Sequence, residues 1–263
     1  MRSRHNVRIS GDPDGRPMLF AHGFGCDGSM WGRLAPAFEA THRVVVFDHV
    51  GAGDADPAAF HPARYASLSA YARDVLELCR ELELEDVVFV GHSVSAMIGV
   101  LAAKLEPSRF GALVLIGPSP RYVDDPESGY RGGFSRTDID GLLATMENDY
   151  LRWSSLMAPV IMGRPDAPEL GEELTESFCR ADPDAARSFA RVTFLSDNRA
   201  DLADVTTRSL VLQCQDDAIA PVEVGEYVHA QLPDSELVLL DAHGHCPHLS
   251  APDATIDAIA AFV

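Results

Sequence analysis

The stretch VVFVGHSVSAMIGVLAA, residues 87–103, decides the fold. Its first residues are apolar and mostly β-branched, which reads as a buried strand. From Val94 onward the residues are small or apolar and read as a helix. Between the two stands Gly91-His92-Ser93-Val94-Ser95, so a serine sits where a strand turns into a helix. That is the context of a nucleophile elbow, a tight turn that lifts a hydroxyl above the sheet. The bland alternative is a serine that serves only the turn.

Working outward, five more runs have the same character: MLFAHGF (18–24), RVVVFD (43–48), ALVLIGP (112–118), SLVLQCQD (209–216) and ELVLLDA (236–242). Before the central strand lies SLSAYARDVLELCRELEL, whose Leu68, Tyr71, Val75 and Leu78 fall at helical spacing. Strand–helix alternation predicts an α/β fold, a mostly parallel central sheet with helices on both faces. Ligands bind at the carboxyl ends of such strands. From about Arg121 to Ser196 the alternation stops and the sequence turns helical. Seventy-odd residues are too many for a loop, so they predict a helical cap inserted between two strands. With no repeat or linker, residues 1–263 read as a single domain, core 1–120 and 197–263 and cap about 121–196.

The totals narrow the function. A chain of 263 residues, 46% hydrophobic and 23% charged, suits one soluble α/β enzyme domain. Its net charge of −19 repels phosphate backbones and anionic lipid, which argues against nucleic-acid and membrane-surface roles. Cys26, Cys79, Cys179, Cys214 and Cys246 are odd in number and form no CxxC pair. They read as free thiols in a reducing compartment. The N-terminal MRSRHNVRIS has no apolar core of a secretory signal, and no apolar run approaches the length of a membrane span. The expected location is cytoplasmic.

A serine hydroxyl needs a histidine to take its proton and an acid to orient that histidine. Both stand at strand ends, in the chain order Ser, Asp, His. Asp217 follows SLVLQCQD, with Asp216 as its rival. His245 follows ELVLLDA, with His243 and His248 as rivals. Backbone N–H groups of the early loop His22-Gly23-Phe24-Gly25, with that of Val94, are candidates for an oxyanion hole. His92 reads as a packed or loop-bonded neighbour, and Asp48 and His49 as structure or pocket rim. Gly51-Ala52-Gly53 lacks the third glycine and the helix of a dinucleotide loop. His245-Cys246-Pro247-His248, with His243, has metal-ligand chemistry, but proline interrupts it and no partner cluster follows, so no metal and no cofactor are expected.

HGFGCDGSMW, FDHVGAGDADP, GHSVSAMIG, GPSPRYVDDP, QDDAIAP and GHCPHLSAPD together resemble the RsbQ-type α/β hydrolases. These are bacterial stress-pathway regulators that share a core fold with plant karrikin and strigolactone receptors. The resemblance covers nearly the whole chain. It implies an α/β-hydrolase fold with Ser93 as nucleophile, Asp217 as acid, His245 as base, and Phe24 and Val94 as oxyanion-hole donors. It places Phe134, Trp153 and Phe194 over the nucleophile, where with Phe24, His92 and Met157 they would line an apolar pocket. Such a pocket suits a small hydrophobic ester or lactone. It also implies a partner, a PAS-domain phosphatase. Ser95 stands where the general hydrolase pattern has glycine.

Overall fold

A computed structural model describes residues 2–263. Seven strands form one sheet: β1 (Arg8–Gly11), β2 (Arg16–Ala21), β3 (His42–Phe47), β4 (Val87–His92), β5 (Phe110–Ile116), β6 (Ser209–Asp216) and β7 (Ser235–His243). Their spatial order is β1-β3-β2-β4-β5-β6-β7. All pairings are parallel except β1 with β3. The β1 strand lies outside the six expected runs because RISG is polar and exposed, an edge without an apolar pattern. The strand β2 ends at Ala21, so His22, Gly23 and Phe24 belong to the loop above the sheet.

Alternation along the strands divides the interior in two. Leu19, Val45, Phe89 and Leu113 face α1 (Leu68–Glu81) and α2 (Val94–Leu105). Phe20, Val46, Val90 and Val114 face the opposite way, toward α9 (Pro252–Phe262) and the helices that cover the site. The β-branched strands are therefore buried on both faces, which is why they read as unbroken apolar runs. The remaining core helix between β6 and β7 is α7 (Val222–Gln231), and the short α8 (Pro247–Ser250) follows β7.

Between β5 and β6 stand four helices: α3 (Arg136–Asn148), α4 (Tyr150–Met162), α5 (Pro168–Arg180) and α6 (Pro183–Leu195). Ser135 and Asp138 form a capping box on α3, Asp149 caps α4, and Asp182 caps α6. Residues 121–135, expected to be helical, are instead irregular and turn-rich, with isolated bridges Val123 to Phe134 and Asp125 to Tyr130. Two arginine–carboxylate pairs tie α5 to the loops above the sheet. Arg33 grips Glu173 at 2.7 and 2.9 Å, and Arg180 grips Asp27 at 2.7 and 2.9 Å. Among the described residues no helix is long and apolar enough to cross a membrane.

Candidate active site

Ser93 caps the N-terminus of α2 with φ +56° and ψ −123°. A non-glycine residue holds such a conformation only where its surroundings force it, at a cost on the order of 1–3 kcal/mol. Two neighbours make the turn sterically feasible. A Cβ on Gly91 would meet the Ser95 carbonyl oxygen at 2.5 Å, so the residue before His92 must lack one. Ser95 is fully buried and small enough to let α2 press on the loop after β2.

The departure from glycine at Ser95 has a structural use. Its hydroxyl donates to the His22 carbonyl at 2.5 Å and accepts from His49 Nε2 at 2.7 Å. His22 donates Nδ1–H to the Gly23 carbonyl at 2.9 Å, and its Nε2 accepts the His49 backbone N–H at 3.0 Å. Burial drives the imidazoles of His22 and His49 down from their ordinary range, so both are neutral members of this network. The loop carrying Phe24 is thus pinned to the helix carrying Val94. Val94 opens α2, and a first-turn N–H has no carbonyl partner within its own helix.

The strands β6 and β7 deliver the other two groups. His245 Nδ1 lies 2.7 Å from Asp217 Oδ2, and its Nε2 lies 2.8 Å from Ser93 Oγ. A carboxylate only accepts, so Nδ1 carries the proton and Nε2 accepts from the serine hydroxyl. Asp217 is held in turn: its Oδ1 accepts the Ile219 and Ala220 backbone N–H groups at 2.8 and 3.0 Å. His245 is aimed by Gly244, whose φ is +81° and where a Cβ would collide with the Met162 carbonyl oxygen. The backbone N–H of His245 donates to the Ile161 carbonyl at 2.8 Å, at the C-terminal end of α4.

The rivals go elsewhere. Asp216 and His243 face solvent and pair with each other at 3.3 Å. His248 is buried behind the site, its ring against Trp31 and His92. His92 donates Nε2–H to the His245 carbonyl at 2.8 Å. Of the predicted pocket residues, Phe24, His92, Trp153, Met157 and Phe194 wall a cavity over Ser93, but Phe134 does not. Its backbone runs beside Tyr122, with Phe134 N–H donating to the Tyr122 carbonyl at 3.2 Å, and it is the Tyr122 ring that reaches the serine. The Tyr122 hydroxyl lies 3.5 Å from Ser93 Oγ, and burial pushes it up to about 12, so it stays protonated. Tyr122 lies within GPSPRYVDDP, an aromatic residue shortly after a strand end; spacing alone does not say where its ring points.

The cavity over Ser93 is nearly filled by side chains and has a volume of about 30 Å³. The Phe24 ring fills the middle, with the Trp153, Phe178, Phe189 and Phe194 rings all within 6.1 Å of it, centre to centre. A far roomier groove of about 480 Å³ runs between the start of α1 and α6, but it holds none of Ser93, Asp217 and His245.

The profile of the Alpha/beta hydrolase family matches residues 18–258. A probable esterase of Oryza sativa subsp. japonica, D14L, is 40% identical over 253 residues, covering 96% of this chain and 93% of that protein. A karrikin insensitive 2 receptor of Petunia hybrida, form CA, is 38% identical over 253 residues, covering 96% and 93%. Among solved structures, a hydrolase from Oleispira antarctica superimposes with a TM-score of 0.96 at 39% identity, covering 99% of this chain and 95% of that one.

Proposed function

Since the chain belongs to the alpha/beta hydrolase family, we propose that it hydrolyses a small hydrophobic carboxylic ester or lactone through an acyl-Ser93 intermediate. The observation that carries this reading is the unbroken relay from Asp217 through His245 to Ser93, 2.7 and 2.8 Å, at the floor of an apolar cavity. His245 Nε2 takes the hydroxyl proton as Ser93 Oγ attacks the carbonyl carbon. The oxyanion is held by the backbone N–H groups of Phe24 and Val94, positioned in advance by the Ser95 network. Collapse expels the alkoxide, which takes the proton from His245, and leaves Ser93 acylated. Water then repeats the sequence in the other direction. Asp217 stays ionised and opposes the positive charge that His245 acquires.

The helices α3 to α6 act as the lid. Their aromatic rings favour an apolar acyl or alcohol group, and exclusion of water strengthens the oxyanion contacts. Five unpaired cysteines suit action in the cytoplasm. Exposure of the purified protein to an aryl acetate and to simple lactones, followed by mass spectrometry, should find the acyl group on Ser93. Ser93→Ala should lose about 10³-fold or more of the turnover while keeping its fold. An unacylated Ser93, or an alanine variant as active as the parent, would sink the reading.

The relative named as a receptor supports a second reading, because it matches over the same span as the one named as an esterase. On it, ligand capture or slow hydrolysis changes the lid surface, which a partner of the PAS-domain phosphatase class reads. Substitutions on the outer lid face should then spare esterase activity and weaken partner capture. Rapid turnover of a defined ester without any lid-dependent partner favours a purely metabolic carboxylesterase or lactonase.

A further inference from the structure

His248 is the residue that hydrolysis leaves unexplained. Its imidazole is fully buried, and neither ring nitrogen has a hydrogen-bond partner among the described residues. Buried polar atoms are paired in the great majority of cases, so two orphans on one ring need a reason. The neighbouring His92 repeats the pattern: its Nε2–H is committed to the His245 carbonyl, and its Nδ1 is unpartnered. The sulfur of Cys246 completes the group. One ligand atom from each of His92, Cys246 and His248 lies within 4.8 Å of the others. In sequence the CPH run lacks a partner cluster; the fold supplies one by bringing in His92 from the end of β4.

We propose that His92, Cys246 and His248 bind a thiophilic divalent cation, with zinc as the type, and that the filled site slows turnover at Ser93. One sulfur and two imidazoles make a zinc-like ligand set with a fourth position open, and their softness selects against magnesium and calcium. Neither His248 nitrogen nor His92 Nδ1 is engaged in a hydrogen bond among the described residues, so the imidazoles can meet an ion without breaking one there. Zinc–ligand bonds of about 2.0–2.3 Å require the widest pair to close by roughly 1 Å. His92 and Cys246 wall the cavity, which gives the ion its route. As the sulfur–metal bond forms, the thiol proton passes to solvent. His92 donates Nε2–H to the His245 carbonyl and its ring lies 4.9 Å from that of His245, so drawing His92 onto the ion strains the loop that aims the general base at Ser93. The inhibitory half rests on the hydrolytic reading above; the binding half does not.

The test uses the reduced, cation-free full chain, titrated with Zn²⁺ by calorimetry and with Cd²⁺ by the ultraviolet absorption of a metal–thiolate bond. Cys246→Ser, His248→Gln and, as a control for the exposed histidine, His243→Ala are run beside the parent. The expected result is one equivalent bound, a thiolate band in the parent and His243→Ala, and affinity reduced about tenfold or more in the other two. In the parent, Zn²⁺ should also shield Cys246 from alkylation, a readout that needs no variant to fold. Turnover of an aryl acetate should fall in kcat with KM within about twofold, and EDTA should restore it. Binding without a thiolate band or without Cys246 protection, or binding that His243→Ala abolishes, overturns the site. A filled site with unchanged turnover overturns the inhibitory half alone. A chain that hydrolyses nothing would fail the esterase reading and leave the binding result standing.

Discussion

Two Asp–His pairs stand side by side where β6 and β7 end, and they have opposite fates. In the inner pair, Asp217 and His245 are 2.7 Å apart with side chains 1% and 5% exposed. In the outer pair, Asp216 and His243 are 3.3 Å apart with side chains 79% and 64% exposed. The chemistry is the same and the sequence offset is one residue on one strand and two on the other. Asp216 and His243 are still in register within the sheet, whereas Asp217 and His245 lie just beyond it. What separates them is the backbone. The register shifts between Cys214 and Asp216, and Gly244 turns the chain inward after His243. A triad is made by burial, two backbone donors on the carboxylate and a histidine aimed at a serine. Proximity of acid and imidazole is only one part of it.

The largest expected effect separates the pairs outright. Asp217→Asn should cut kcat by about 10⁴-fold, because an amide in place of the carboxylate favours the wrong tautomer of His245. Asp216→Asn should stay within about twofold, and aryl-ester kinetics on the two variants decide it; equal losses would erase the distinction. A smaller loss is expected at the turn between the histidines. Gly244→Ala places a Cβ against the Met162 carbonyl oxygen at a backbone angle that disfavours alanine. It should lower kcat about 10²-fold by displacing His245, with a lower melting temperature, while the outer pair remains.

The lid that keeps the inner pair dry comes next. Trp153→Ala should weaken inhibition by a bulky hydrophobic ester analogue about tenfold and leave hydrolysis of an acetate largely intact. A matching loss on acetate would mean that Trp153 supports the catalytic geometry itself. The smallest effect belongs to the outer pair. A double-mutant cycle on Asp216 and His243 should give a coupling of about 0.5 kcal/mol or less, which 1 M salt removes. A coupling above about 1 kcal/mol that survives salt would show the two pairs to be less different than their exposure implies.

Much of this was legible before any coordinates. The strands announce themselves because both faces are buried, and the elbow because a strand, a serine and a helix follow one another without a gap. The order Ser93, Asp217, His245 is readable, but pattern alone leaves Asp216, His243 and His248 in contention. Only the register shift and Gly244 sort them, and neither changes composition. The polar β1 carries no apolar alternation, so nothing in it speaks for a strand. The stretch 121–135 carries Pro126, Gly129, Gly132 and Gly133, which argue for a turn rather than a helix, but they do not say that the turn brings Tyr122 rather than Phe134 to the serine. Ser95 reads as a tolerated small residue; its role appears only once His22 and His49, distant in sequence, converge on its hydroxyl.

The hydrogen bond from the His245 backbone N–H to the Ile161 carbonyl has a mechanical meaning. It ends α4 and begins the loop that carries the general base, so one peptide group serves two machines. Any swing of α4 wide enough to admit a bulky guest must stretch or break that bond and disturb the imbalance-free posture of the imidazole. The end of α4 and the residue that meets Ser93 are therefore joined through a single peptide contact, so a displacement at one is felt at the other.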